Sequence, residues 1–174
     1  EILDSGSGII YFGFAACPWC RNAVPVLLDA MQATDLDTIY YVNVREDDNP
    51  NKDIRDTYVL DSKNKARQSR EAEKAYYDVL RLLANDLDSY FLTTENGKIV
   101  DVGEKRLSLP TVVAVKDGIV LKVHKGTFEG HNRVDGVLED LTKEQQSELF
   151  HIYSALIGKY INNDCSTEEN EEGC

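Results

Sequence analysis

The chain has 174 residues, of which 42% are hydrophobic, and its formal net charge is −12. This length and apolar content suffice for a folded domain with a substantial core. The negative charge argues against nucleic acid and anionic lipid as partners, because both would be repelled. No apolar run approaches the length of a membrane span. We therefore expect one folded domain that carries no membrane-spanning segment in this chain.

The first predicted elements flank a pair of cysteines. Residues 8–16 form a short apolar run with β-branched and aromatic members, which is typical of a buried strand. Cys17-Pro18-Trp19-Cys20 follows directly, and apolar residues then recur at helical spacing as far as Met31. Proline is tolerated in the first turn of a helix, whereas Pro25 should kink its interior. The pattern predicts a strand, the cysteine pair and then a helix.

This arrangement favours redox chemistry at the two thiols. At a helix N-terminus, unpaired N–H groups and the helix dipole stabilise a thiolate. The thiolate is the species that attacks disulfides. We therefore expect Cys17, as the more exposed thiol at the helix start, to be the nucleophile. Cys20, one turn further in, would resolve the mixed disulfide.

Two other interpretations of the cysteine pair stay open. A zinc site needs four ligands, and the remaining candidates are scattered along the chain: His124, His131, His151, Cys165 and Cys174. No second C-x-x-C is present, so we assign no metal. A purely structural disulfide across so tight a loop is the other alternative. The redox interpretation requires no cofactor.

The rest of the chain predicts a mixture of strands and helices. Its expected elements are a second buried strand over 39–44, a helix over 66–87, a hairpin over 90–100 turning at Asn96-Gly97, strands after Pro110 and over 119–124, and helical stretches over 134–141 and 149–160.

Three separated features resemble the thioredoxin family. They are the dithiol after an apolar strand, Pro25 five residues beyond Cys20, and the segment from Leu107 to Gly118 with Pro-Thr, an apolar strand and an Asp-Gly turn. The resemblance covers roughly residues 8–45 and 90–140. It implies an α/β thioredoxin-like fold, in which helices flank a central mixed sheet. A mainly helical insertion at about 46–106 would separate the second core strand from the proline strand, within a single domain at 1–161.

The resemblance also implies a substrate site and a function. Pro110 would be a cis-proline facing the dithiol, and Leu109 and Thr111 would pair with an extended substrate chain. Pro18 and Trp19 would form an apolar lip beside the first thiol. Such proteins are thiol–disulfide oxidoreductases acting on protein thiols and disulfides. Within the family, the chain resembles thioredoxin-like proteins of Gram-positive bacteria, including bacteriocin-transport accessory proteins.

Some positions depart from the thioredoxin pattern. Tyr11 stands where thioredoxins bury an aspartate that assists proton transfer, and Ala16 replaces the usual tryptophan. The inner pair Pro18-Trp19 differs from the Gly-Pro of thioredoxin. The two inner residues tune the reduction potential, which spans about −270 to −120 mV in related proteins. Reductase, oxidase and isomerase activity therefore all stay open, as does the redox partner.

The last thirteen residues, 162–174, form an acidic tail that has almost no apolar side chains and cannot fold alone. Its Cys165 and Cys174 could form a structural disulfide, act as a relay for the dithiol, or remain reduced. The four cysteines favour an extracytoplasmic location, secreted or anchored at the cell surface, with the cytoplasm as the alternative. The chain starts at Glu1 rather than methionine, which fits a targeting segment that preceded it.

Two functions follow from these observations. The first is the thiol–disulfide oxidoreductase just described. The second is a non-catalytic binding module that presents residues 51–106 to a protein partner. In that case the dithiol would be a remnant without function or a structural disulfide.

Overall fold

The computed structural model describes residues 2–47, 49 and 51–164, and side chains as far as residue 162. In chain order the described elements are α1 (Ile2–Ser5), β1 (Gly8–Gly13), α2 (Pro18–Ala33), β2 (Tyr40–Asn43), β3 (Thr57–Leu60), β4 (Ala66–Arg70), α3 (Lys74–Leu82), β5 (Asp88–Thr93), β6 (Ile99–Arg106), β7 (Thr111–Lys116), β8 (Ile119–Lys125) and α4 (Lys143–Asp164). The protein is mixed α/β and divides into two compact units. One comprises the described residues up to Asn43 and from Leu109 onward, and the other is Val44–Ser108.

The first unit contains a four-stranded mixed sheet in the order β2-β1-β7-β8. β1 runs parallel to β2 and antiparallel to β7, and β7 runs antiparallel to β8. All six residues of β1 are buried, as the apolar run predicts. The tight turn between β7 and β8 lies at Asp117-Gly118, where both residues have positive φ, as a two-residue hairpin turn requires.

Helices α2 and α4 pack against one face of this sheet. Because side chains alternate along a strand, Ile9 and Tyr11 of β1 share that face. They form one core with Leu27 of α2 and with Leu149 and Ile157 of α4. Because the apolar residues of both helices pack on this face, the start of α2 lies next to the end of β1. None of the described helices is both long and apolar enough to span a membrane.

Three expectations for this unit need correction. The second strand is not buried, because β2 lies at the sheet edge, with Tyr40 and Tyr41 46% and 55% exposed. Residues 134–141 form no helix, since positive φ at Asp135 and Gly136 makes a turn between Val134 and Val137. Helix α4 continues to Asp164, beyond the predicted domain end at 161. The predicted tail pair, Cys165 and Cys174, lies outside the described residues.

The second unit contains most of the predicted insertion, but the expectation that it is mainly helical is wrong. Two antiparallel hairpins, β3–β4 and β5–β6, accompany the single helix α3 among its described residues. The β5–β6 hairpin turns at Asn96-Gly97, as predicted, with Gly97 at a φ of 81°. Leu83 and Tyr76 are fully buried in the unit. The Tyr76 hydroxyl accepts a hydrogen bond from the backbone N–H of Leu107 at 3.0 Å.

Turn chemistry explains why the predicted helix from Ala66 begins as a strand. Asp61 Oδ1 accepts hydrogen bonds from the backbone N–H groups of Lys63 and Lys65 at 2.8 and 2.9 Å. Asn64 adopts a φ of 56°, a conformation that asparagine tolerates better than most residues. This Asp-Ser-Lys-Asn turn folds residue 66 back onto β3. Helix α3 consequently starts only at Lys74.

A partly buried ion pair ties the start of the second unit together. The Asp53 carboxylate accepts hydrogen bonds from the backbone N–H, Nε and Nη2 of Arg55, the last at 2.8 Å. Arg55 Nη1 donates to the carbonyl of Leu107 at 3.2 Å, and Arg70 donates to the carbonyl of Asp53. Burial alone would raise the pKa of the Asp53 carboxyl, but its bonds to Arg55 and the charge of Arg55 lower that pKa below its ordinary value.

Replacing Asp53 with Asn should destabilise the second unit. The change removes the carboxylate charge that pairs with the Arg55 guanidinium, which is only 12% exposed, a loss of about 3 kcal/mol for a buried pair. Amide hydrogen exchange in β3 and β4 should accelerate by about a hundredfold. Because its pKa is lowered, Asp53 contributes this stability above the ordinary carboxyl pKa, and the contribution disappears as pH falls through the folded pKa.

Asp78→Asn is the matched control, because Asp78 pairs with Arg81 at 3.7 Å on the exposed surface. Its effect should stay below about 1 kcal/mol. Equal exchange rates for Asp53→Asn and Asp78→Asn at neutral pH would contradict the role assigned to the Asp53–Arg55 pair.

Candidate functional site

The two motif cysteines occupy the first turn of α2, as predicted. Cys17 is the N-cap residue, and its sulfur accepts a hydrogen bond from the backbone N–H of Cys20 at 3.3 Å. Pro18 follows at the start of the helix, where no N–H is needed. Both thiols are free. The sequence locally dictates this start, because a residue in extended conformation followed by proline is a favourable way to open a helix.

The expected difference in exposure between the two thiols is wrong. Cys17 and Cys20 are each 3% exposed. Both belong to the core formed by the sheet, α2 and α4, and this packing covers the N-cap sulfur as well as the inner one. Residues on both sides of the pair are exposed, namely Ala15 and Ala16 before Cys17 and Arg21 after Cys20. Cys20 lines a cavity together with Ala15 and Arg21.

A hydrogen bond between the thiols couples their ionisation. Donation from the Cys17 thiol lowers the pKa of Cys20 to about 7, against the opposing effect of burial. The same hydrogen bond, together with burial, raises the pKa of Cys17. One proton therefore leaves the pair near neutral pH, and the remaining proton is shared between the two sulfurs.

Tyrosine hydroxyls surround the inner thiol. Tyr11 on β1 and Tyr153 on α4 are 4% and 0% exposed. Neither hydroxyl has a hydrogen-bond partner within the described part of the chain. The Tyr11 hydroxyl is nevertheless close enough to Cys20 that each affects the other's ionisation. Tyr11 and Cys20 also line one cavity of about 620 Å³. The other residues that line it are mostly apolar: Phe14, Ala15, Arg21, Val24, Pro25, Leu27, Leu28, Ile39 and Tyr41.

Trp19 is held beside the cysteines by a loop that the sequence did not reveal as part of the site. Its indole N–H points to the carbonyl of His131 at 3.4 Å, and the guanidinium of Arg133 lies 4.9 Å from the ring centroid. His131 is fixed by Thr127 Oγ1 at 2.7 Å and by the carbonyl of Glu139 at 2.8 Å. His131 is thus a hydrogen-bonded structural residue, and its carbonyl holds the loop next to Trp19.

The proline segment lies at the same end of the sheet as the dithiol. The Leu109–Pro110 peptide bond is cis. Since Thr111 pairs with Phe12 in the antiparallel register, Pro110 comes level with the end of β1, from which the chain continues to Cys17. The carbonyl of Pro110 accepts a hydrogen bond from Gly126 N–H at 2.7 Å.

The predicted substrate-binding residues differ in how accessible they are. Pro18, Trp19 and Leu109 are half-buried, so each retains surface that another chain could contact. Pro110 is buried, and Thr111 is fully buried between β1 and β8. A substrate could therefore contact the side chains of the first three residues but not that of Thr111.

No group of three or more Cys, His, Asp or Glu side chains suited to a metal ion occurs among residues 2–47, 49 and 51–162. His124 lies in β8 with its Nε2 3.1 Å from the carbonyl of Thr127, and its ring meets that of Tyr153 edge-on at 5.5 Å. Burial lowers the pKa of His124. It is therefore a half-buried, hydrogen-bonded histidine rather than an available base at the dithiol.

Sequence reasoning missed the loop residues His131 and Arg133, because nothing in their local pattern marks contact with Trp19. It noted Tyr11 only as a departure from a family pattern. Comparisons with protein-family models, with curated proteins and with solved structures find no match for the chain. Any functional conclusion therefore depends on the geometry of the site itself.

The thiol–thiol hydrogen bond predicts how the reduced protein titrates. Thiolate absorbance in the ultraviolet, measured with Cys165 and Cys174 replaced by Ser, should show a first ionisation at a pH of about 7. Cys17→Ala removes the donor that lowers the pKa of Cys20, so the remaining thiol should ionise at higher pH. Unchanged ionisation of Cys20 in Cys17→Ala would show that the two thiols are not coupled.

Proposed function

We propose that this protein is a thiol–disulfide oxidoreductase of the thioredoxin-like class, which acts on protein disulfides through Cys17 and Cys20. The observation that carries the proposal is the pair of free thiols in the first turn of α2, joined by a hydrogen bond that lowers the pKa of Cys20 to about 7. A pair of this kind supplies a thiolate near neutral pH, where an isolated thiol would be largely protonated.

The strand arrangement supports the fold assignment. A central mixed sheet carries the dithiol helix after β1 and a cis-proline before β7, and these two features lie at the same end of the sheet. The position of Pro25 inside α2 matches the same pattern. The second unit, Val44–Ser108, is inserted between β2 and this proline strand.

In the reduction of a substrate disulfide, Cys17 attacks first. As its sulfur bonds to a substrate sulfur, its proton crosses to the Cys20 thiolate and the other substrate sulfur leaves as a thiolate. Cys20 then loses its proton and attacks the Cys17 sulfur. The Cys17–Cys20 disulfide forms, and the second substrate sulfur departs as a thiol. The pair is oxidised by two electrons and the substrate is reduced by two. The reverse sequence oxidises a substrate dithiol.

Cys17 is assigned as the attacking group because it is the N-cap residue of α2. Its sulfur accepts the backbone N–H of Cys20 at 3.3 Å, and this bond stabilises the negative charge that develops on the sulfur during attack. Trp19, stacked beneath Arg133, supplies an apolar surface next to the nucleophile.

Alkylation of the reduced protein at neutral pH should label Cys17 before Cys20, because the proton shared by the pair moves to Cys20 as the Cys17 sulfur reacts. The order is read by mass spectrometry after partial reaction with iodoacetamide, in a chain whose Cys165 and Cys174 are replaced by Ser. Because both thiols are 3% exposed, labelling should be slower than in the unfolded chain. Earlier labelling of Cys20 would reverse the nucleophile assignment.

Activity is tested by insulin reduction in the presence of dithiothreitol. The protein should accelerate precipitation of the insulin chains, and Cys17→Ser should abolish the acceleration because no mixed disulfide with substrate can form. Asp78→Asn, which changes an exposed residue of α3, controls for effects of mutation that do not involve the dithiol. Its rate of insulin precipitation should equal that of the wild type.

A non-catalytic binding module remains the second candidate, and the equal burial of both thiols is the observation that favours it. Equal precipitation rates for the wild type and Cys17→Ser would support the binding module and overturn the enzymatic proposal.

A further inference from the structure

The starting observation is a buried hydroxyl with no partner beside a reactive thiol. Tyr11 is 4% exposed, and its hydroxyl has no hydrogen-bond partner among the residues that the structure describes. An unpartnered buried polar group costs free energy, so its retention at a site needs an explanation. The hydroxyl lies close to Cys20, and the two side chains line the same cavity.

The backbone makes room for this ring position. A Cβ atom on Gly13 would lie 2.7 Å from Cε1 and 2.9 Å from the hydroxyl oxygen of Tyr11. Only a glycine at the end of β1 permits the ring to lie over the backbone there. The aromatic ring of Tyr41 lies on the neighbouring strand, with ring centroids 5.9 Å apart. The Tyr11 hydroxyl is thus placed by the strand and its neighbours.

The groups around Cys20 each affect its charge differently. Cys17 donates a hydrogen bond from the start of α2, and the nearby Tyr11 hydroxyl on β1 also lowers the pKa of Cys20. Tyr153 on α4 interacts with Cys20 through charge alone. His124 on β8 lies beyond the Tyr153 ring, and Arg21 on α2 is the charged residue that lines the shared cavity.

The need for a second donor arises during turnover. The largest influence that lowers the pKa of Cys20 is the Cys17 thiol. Once Cys17 is joined to a substrate sulfur, that thiol no longer exists and cannot donate. Cys20 must nevertheless become a thiolate at this stage in order to release the substrate. Tyr11 then still offers a buried hydroxyl without another hydrogen-bond partner among the described residues, and it lines the same cavity as Cys20, which Tyr153 does not.

We propose that the Tyr11 hydroxyl donates a hydrogen bond to the Cys20 thiolate in the mixed disulfide and thereby promotes its resolution. The inference rests on the proposed oxidoreductase function. In this step the S–H bond of Cys20 breaks, a Cys17–Cys20 bond forms and the Cys17–substrate bond breaks. The proton passes to the departing substrate thiolate, so charge and electrons balance.

The tyrosine stays neutral while it does this. Burial, the largest influence, and the neighbouring Cys20 both raise the pKa of Tyr11. The hydroxyl therefore keeps its proton throughout the range in which thiols ionise, and it acts as a donor rather than as a base. Loss of its hydrogen bond should raise the pH at which Cys20 ionises and leave other properties of the site intact.

The test isolates Cys20 in full-length protein. Cys17→Ala removes the first donor and reproduces the loss that a mixed disulfide causes, with Cys165 and Cys174 replaced by Ser. In that background Tyr11→Phe should move the thiolate titration of Cys20 upward by about one to two pH units, the shift expected for a lost charge-assisted hydrogen bond. Tyr153→Phe is the matched control, because it also deletes a buried, unpartnered tyrosine hydroxyl of the same core. Its shift should be smaller.

A kinetic measurement follows the same step directly. A coloured aromatic disulfide reagent reports attack by Cys17 as a first release of chromophore and resolution by Cys20 as a second. At neutral pH, Tyr11→Phe should slow the second release at least about tenfold. The two rates should converge at high pH, where Cys20 is ionised in both proteins. Circular dichroism of each variant verifies the fold.

The outcomes separate the two proposals. Equal Cys20 titrations in the presence and absence of the Tyr11 hydroxyl, with the fold retained, would overturn the role of Tyr11 and leave the oxidoreductase proposal standing. A Tyr153→Phe shift as large as that of Tyr11→Phe would also overturn it, because it would show a general effect of core polarity. Absence of insulin reduction by the wild type would instead overturn the proposed function, while the titration would still report the hydrogen bond.

Discussion

The chemistry of this site depends on one shared proton between two sulfurs in the first turn of a helix. That sharing requires α2 to begin at Cys17, so that the N-cap sulfur and the sulfur three residues later lie on the same side of the turn. Leu27 and Ala30 hold the helix in the core that it shares with β1 and α4. If this packing loosened, the sulfurs would separate and the pKa of Cys20 would return toward that of an isolated thiol.

The rest of the first unit is arranged around this turn. Antiparallel pairing of β1 with β7 brings Pro110 to the sheet end from which the cysteine loop leaves. The loop after β8 reaches Trp19 through the carbonyl of His131. Three segments that are distant in sequence therefore meet at one end of the sheet. Each is positioned by backbone pairing or a hydrogen bond.

The sequence predicted those parts that depend on local patterns. The strand before the dithiol, the helix after it and the Asn96-Gly97 hairpin follow from periodicity or turn chemistry, whereas the Asp117-Gly118 turn was implied by the family resemblance. The helix expected from Ala66 does not begin there, because the turn at Asp61 and Asn64 imposes strand pairing. The partners of Trp19 could not be predicted, because contacts across more than a hundred residues leave no local signature.

Burial of both thiols has a further consequence for how the inner thiolate is stabilised. A thiolate inside an apolar core needs donors that remain protonated when it ionises. A carboxyl group at the position of Tyr11 would lose its proton within the same pH range as the thiols. Its negative charge would then repel the thiolate. A buried tyrosine stays neutral, because burial raises its pKa. The stabilisation that it offers is therefore independent of pH, and the titration of the site is left to the two sulfurs alone.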